Sequence, residues 1–109
     1  MKTVTQYNQW LEIIEHHKHL LLFVKTKNCS VCEGLLPQIE VLESDTSIPF
    51  FVANAAELPE LAGQLGLFTA PVVILMKDAK EYARYARFVP VHQVVEKLKE
   101  LKKWEESYD

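Results

Sequence analysis

Leu20-Leu21-Leu22-Phe23-Val24, followed by Lys25-Thr26-Lys27-Asn28 and then Cys29-Ser30-Val31-Cys32, is the stretch on which the fold turns. Its five opening residues are continuously apolar. They are too few for a helix and too apolar for a strand with one wet face, so they predict a buried central strand. Four polar residues end that strand, and the cysteine pair follows at once. Leu35, Leu36, Ile39, Val41 and Leu42 then continue at helical spacing to about Ser44, with Pro37 inside as an expected kink.

Cys29 and Cys32 are the only two cysteines in 109 residues. Two cysteines placed at random in such a chain stand three apart in roughly 2% of cases, so coincidence is a poor account of them. One pair is also too few for the disulfide scaffold of a small secreted protein. Three readings remain: redox chemistry, half of a metal site completed by a second chain, or a pair of buried inert thiols.

On the N-terminal side, Tyr7, Trp10, Leu11, Ile13 and Ile14 recur at helical spacing within residues 5–17, and Thr5 is the expected N-cap. On the C-terminal side, residues 48–53 predict a second buried strand that starts through Pro49. Leu58-Pro59-Glu60-Leu61 opens a short helix, for which Gly66 is the expected C-terminal cap. Pro71-Val72-Val73-Ile74-Leu75-Met76 is a third apolar strand. Lys77 to Lys80 make a turn, and residues 82–88 form its hairpin partner. Val91, Val94, Val95, Leu98 and Leu101 define a last amphipathic helix that reaches about Trp104. The order predicts a single α/β domain over 1–109: a mixed sheet with a parallel strand-helix-strand part and an antiparallel C-terminal hairpin, flanked by helices.

Composition narrows the function classes. Apolar residues at 49% and charged residues at 25% describe an ordinary globule, which excludes intrinsic disorder. A net charge of −3 gives no footprint for nucleic acid and no polybasic membrane anchor. The longest apolar runs fall far below the roughly 18 residues of a membrane span, and residues 1–6 carry no apolar segment of a signal peptide. A cytoplasmic protein is the expectation.

The pattern around the cysteines resembles the thioredoxin family. The resemblance rests on the buried strand, polar turn, Cys-x-x-Cys and helix, on Pro37 five residues after Cys32, and on Phe68-Thr69-Ala70-Pro71-Val72-Val73-Ile74-Leu75. It covers about residues 5–104. It implies the thioredoxin fold, a cis peptide before Pro71 facing the cysteines, and dithiol-disulfide exchange with Cys29 and Cys32 as the catalytic pair. Cys29 is then the attacking thiolate, favoured by the unpaired N–H groups and positive dipole end of a helix start, and Cys32 resolves the mixed disulfide. Lys25 and Lys27 support the thiolate, and Glu33 opposes it.

Ala70 and Pro71 are the expected substrate-binding residues, Ala70 by pairing its backbone with an extended substrate. The implied partners are disulfide-containing proteins or small-thiol substrates and an electron-donating reductase, in cytoplasmic redox homeostasis. No metal or organic cofactor is required, and the chain is expected to act as a monomer. A non-catalytic binding module using the groove near Pro71 and Phe88 is the alternative.

Several positions differ from the family pattern. Asn28 precedes the first cysteine, where thioredoxins usually carry Trp. Phe23 occupies the place of a buried Asp that accepts the resolving thiol's proton, and the lysine that partners it falls at about Val52. Phe and Val cannot move protons. A glycine that keeps the family's substrate groove open aligns near Arg87 and Phe88.

Other chemistry-bearing residues have simpler readings. His16, His17 and His19 precede the 20–24 strand while Cys29 follows it, and a strand of that length spans about 17–20 Å. They are therefore expected at the far end of the sheet, as a solvated helix terminus. His92 is expected to cap or to face solvent. Trp10 and Trp104 are expected to pack in the core or at its edge. Phe88 and Pro90 either close the core or belong to a partner-docking surface, with packing the expectation. Glu96 with Lys99, and Glu100 with Lys103, are expected to pair on a solvated helix face.

Overall fold

The computed structural model describes residues 1–106; residues 107–109, the end of the expected 1–109 domain, lie outside the described residues. The chain runs β1 (Lys2–Val4), α1 (Tyr7–His16), β2 (His19–Lys25), α2 (Ser30–Ser44), β3 (Phe50–Asn54), α3 (Pro59–Leu65), β4 (Val72–Lys77), β5 (Lys80–Ala86) and α4 (Val91–Glu106). Among the described residues the strands form one sheet in the order β1-β3-β2-β4-β5.

β2 lies in the middle, parallel to β3 and antiparallel to β4. That position explains its unbroken apolar run, because both of its faces are covered. Leu20, Leu22 and Val24 join Trp10 of α1 and Leu61 of α3 in one core. Leu21 and Phe23 join Cys32, Leu35 and Ile39 of α2 and Val94, Leu98 and Leu101 of α4 in the other. The alternation follows from the two-residue period of a strand.

The direction of β4 departs from a simple strand-helix-strand reading. α2 has 15 residues and is about 22 Å long, enough to carry the chain back along the sheet so that β3 runs parallel to β2. α3 has 7 residues and is about 10 Å long, so the chain stays at the end where β3 finished. β4 therefore starts opposite the end of β2, with Val72 beside Val24, and runs antiparallel.

Several boundaries also move. β1 was not anticipated, since three residues are too few to show a period; its register beside Phe51, Val52 and Ala53 defines it. The N-cap of α1 is Gln6 and not Thr5. Thr5 donates both its hydroxyl and its N–H to Gln9 Oε1, at 3.0 and 2.7 Å, so its oxygen is turned away from the helix amides. β5 begins at once after a two-residue turn, because Asp78 and Ala79 both have positive φ, the conformation that matches strand twist. Pro59 opens α3, and Gly66 caps it with φ +65°.

Val41, grouped with the core of α2 by its spacing, is 62% exposed. Of the three histidines before the apolar run of β2, only His16 is solvated. His17 is half-buried with its ring edge-on to Phe51 at 5.4 Å, and His19 is a buried residue of β2. The strand begins one residue earlier than its apolar run, which draws His19 into the sheet.

Candidate active site

The site is built where β2 ends. Asn28 has φ +53°, a left-handed conformation that Asn tolerates better than most residues, and it turns the chain from the strand into α2. Cys29 is the N-cap of α2, and its Sγ accepts the Cys32 N–H at 3.2 Å. Ser, Thr, Asp and Asn usually fill this role; here a sulfur does, taking one of the N–H groups that the helix start leaves unpaired. Three residues later Cys32 comes round on the inner side of the helix, with Cα atoms 5.2 Å apart, and the two form a disulfide. Cys29 is half-buried and Cys32 is 3% exposed. Val31 between them is 57% exposed. Lys25 is half-buried, while Lys27 and Glu33 are exposed.

The other two expected residues lie at the same end of the sheet. Val72 pairs with Val24, so Pro71 stands beside the end of β2, in the loop that faces the start of α2. The Ala70–Pro71 peptide is cis. Ala70 is half-buried, and both it and Cys29 pack against the core cluster that contains Cys32. Sequence therefore named four residues that the fold gathers at one end of the sheet.

Beneath the pair the floor is apolar. Phe23 is fully buried, with Val52 and Val73 opposite it on the neighbouring strands. Phe23 and Val52, 29 residues apart in the chain, thus meet in the fold.

Two grooves flank the cysteines. Val31, Gly34, Arg87 and Phe88 line one, and Thr26, Ala55, Phe68, Thr69 and Ala70 line the other. Phe68 is 92% exposed and Phe88 90% exposed, which corrects the expectation that Phe88 packs. Phe88 follows Arg87, whose φ of +65° turns the chain out of the sheet. Sequence reasoning missed this conformation, as it missed the one at Asn28. Neither residue is glycine, and only Asn28 belongs to the types enriched there.

The remaining candidates fall elsewhere. His16, His17 and His19 lie at the opposite end of β2, with His19 paired to Lys77. His92 is exposed on the first turn of α4. Trp10 is buried as expected, whereas Trp104 is 45% exposed with Lys77 Nζ 4.7 Å above its ring. Glu100 does not use Lys103 as its ion-pair partner; it accepts from Tyr82 Oη at 2.7 Å and Lys97 Nζ at 3.1 Å. That contact joins α4 to β5 and lowers the Glu100 pKa, first through the tyrosine bond and then through Lys97.

No protein-family model matches the chain. It is 36% identical over 103 residues to the thioredoxin-like protein YdfQ of Bacillus subtilis (strain 168), covering 91% of this chain and 92% of that one. It is 29% identical over 98 residues to a thioredoxin of Chlorobaculum thiosulfatiphilum, covering 88% of this chain and 91% of the relative. Among solved structures it shares the fold of Fasciola hepatica thioredoxin, with a TM-score of 0.81 and 16% identity over 90% of this chain and 99% of that one. With kinship to the Bacillus protein running nearly end to end, and a Cys-x-x-Cys disulfide at the head of α2, the chain belongs to the thioredoxin-like family and is a thiol-disulfide oxidoreductase.

Proposed function

We propose that Cys29 is the attacking thiol and Cys32 the resolving one, and that Ala70 and Pro71 form the substrate-binding edge beside them. The observation that carries this reading is the contrast between the two sulfurs. Cys29 is half-exposed at a helix N-terminus and accepts an N–H bond, whereas Cys32 is buried one turn inside. Charge on the outer sulfur is stabilised by the helix end, and substrate reaches it first.

In the reducing direction the Cys29 thiolate attacks one sulfur of a substrate disulfide, and the other leaves as a thiolate that takes a proton. Cys32, after losing its proton, attacks Cys29 Sγ and expels the second substrate sulfur. The substrate gains two electrons and two protons, and the Cys29–Cys32 disulfide forms. A dithiol donor, by family resemblance an electron-donating reductase, restores the pair.

The Ala70 backbone supports the substrate role. No backbone hydrogen bond of the turns and loops among the described residues uses its N–H or carbonyl. Disulfide-containing polypeptides, pairing with the Ala70 backbone and with apolar side chains toward Val31 and Phe88, are the proposed substrates, and small thiol compounds are a lesser class. The setting is the cytoplasm, and the protein acts there as a monomer of one domain in redox homeostasis. No helix among the described residues is long and apolar enough to cross a membrane.

Trapping tests the roles. Cys32→Ser, reduced and mixed with oxidised insulin, should accumulate a mixed disulfide through Cys29, identified by peptide mass mapping. Cys29→Ser should give none. Accumulation through Cys32 in the Cys29→Ser variant would reverse the assignment.

A further inference from the structure

Arg87 follows the last residue of β5 and holds φ +65° there. A side chain of this type adopts the left-handed region only when its surroundings hold it. What holds it is the loop that carries Ala70. The Arg87 N–H donates to the Pro71 carbonyl at 2.8 Å, and the guanidinium Nε donates to Thr69 Oγ1 at 3.1 Å. The two anchors bracket Ala70, one on each side. The left-handed turn is what lets one residue reach both, because it folds the backbone against Pro71 and sends the side chain back along the loop.

We propose that Arg87 is a positioning residue for polypeptide substrates: by clamping Thr69 and Pro71 it fixes the bend that carries Ala70 and keeps the Ala70 backbone open to a substrate strand. The proposal rests on the reading of Ala70 as the substrate-pairing residue. Exchange at sulfur does not itself require the clamp. A disulfide with no peptide backbone gains nothing from an aligned Ala70, so the clamp separates polypeptide substrates from small ones at the binding step. Loss of the side-chain bond should therefore raise KM for a protein disulfide and leave kcat alone.

Two variants isolate the effect. Arg87→Gly suits the positive φ and keeps the backbone bond to Pro71, but deletes the guanidinium. Thr69→Val keeps the shape and every charge, and deletes the acceptor. The assay follows insulin reduction with dithiothreitol as electron source, beside reduction of bis(2-hydroxyethyl) disulfide by the reduced protein in a single turnover. Each variant should raise the insulin KM about fivefold, the worth of one hydrogen bond of ordinary strength. Insulin kcat and the small-disulfide rate should stay within about twofold of the parent, and the double variant should be no worse than either single one.

Unchanged insulin KM in both variants would overturn the proposal. So would a loss in Arg87→Gly without one in Thr69→Val, which would assign the effect to charge alone. Equal losses on insulin and on the small disulfide would overturn it as well, by placing the effect at the sulfurs. Cys29→Ser tests the underlying site separately: insulin reduction by that variant would remove the exchange reading, whatever the clamp variants do.

Discussion

Phe23 and Val52 stand directly opposite each other in the parallel β2–β3 ladder, in the core cluster that also holds Cys32. Phe23 is completely buried. In thioredoxins these two places hold a proton-accepting Asp and its Lys partner. Here neither side chain can accept the proton that Cys32 must lose before it attacks.

Resolution by Cys32 should consequently be slow near neutral pH and should speed up as pH rises toward the ordinary thiol range near 8.5. Phe23→Asp should quicken turnover at pH 7, since a carboxylate would stand where the proton must go. It should also cost stability, about 3–5 kcal/mol, because it replaces a packed ring with a smaller, desolvated acid. Urea unfolding and insulin turnover measure the two effects. A folded Phe23→Asp variant with unchanged or lower turnover would contradict the explanation.

A second expectation concerns pH and stability. Contact with Tyr82 and Lys97 holds the Glu100 carboxyl below its ordinary value of 4.5. A carboxyl with a lowered folded pKa adds stability above its unfolded pKa and loses it as pH falls through the folded one. Unfolding midpoints of the parent and Glu100→Gln should therefore differ at pH 7 and converge below pH 4.5. The effect is small, because the group is exposed and screened. A difference that persists unchanged in acid would exclude the ionised carboxylate as its source.

Phe88 provides a third. With 90% of its surface exposed it contributes little to the core, so Phe88→Ser should change stability by no more than about 0.5 kcal/mol. Insulin reduction should nonetheless weaken, because the ring rims the groove beside Val31. Loss of stability without loss of turnover would return Phe88 to a packing role.

Much of this site was legible in the sequence because its signals are local. The apolar run of β2, the cysteine spacing, Pro59 at the start of α3 and Gly66 at its end each depend on neighbours in the chain. The gathering of Cys29, Cys32, Ala70 and Pro71 was legible only through family resemblance, since it rests on Val24 meeting Val72. What sequence did not reveal depends on distant contacts. β1 has three residues and takes its identity from β3. The direction of β4 depends on how far α3 carries the chain. Arg87 is left-handed because Thr69 and Pro71 bind it, and its own residue type argues for the opposite. Phe88 is exposed as a result, although its composition suggests burial.

The measurement that most directly tests the central claim is insulin reduction with dithiothreitol as electron source, comparing the parent chain with Cys29→Ser at equal concentration. The parent should accelerate reduction well above the dithiothreitol background, and Cys29→Ser should fall to that background while unfolding at a similar urea concentration to the reduced parent. Turnover by Cys29→Ser equal to that of the parent would contradict the account.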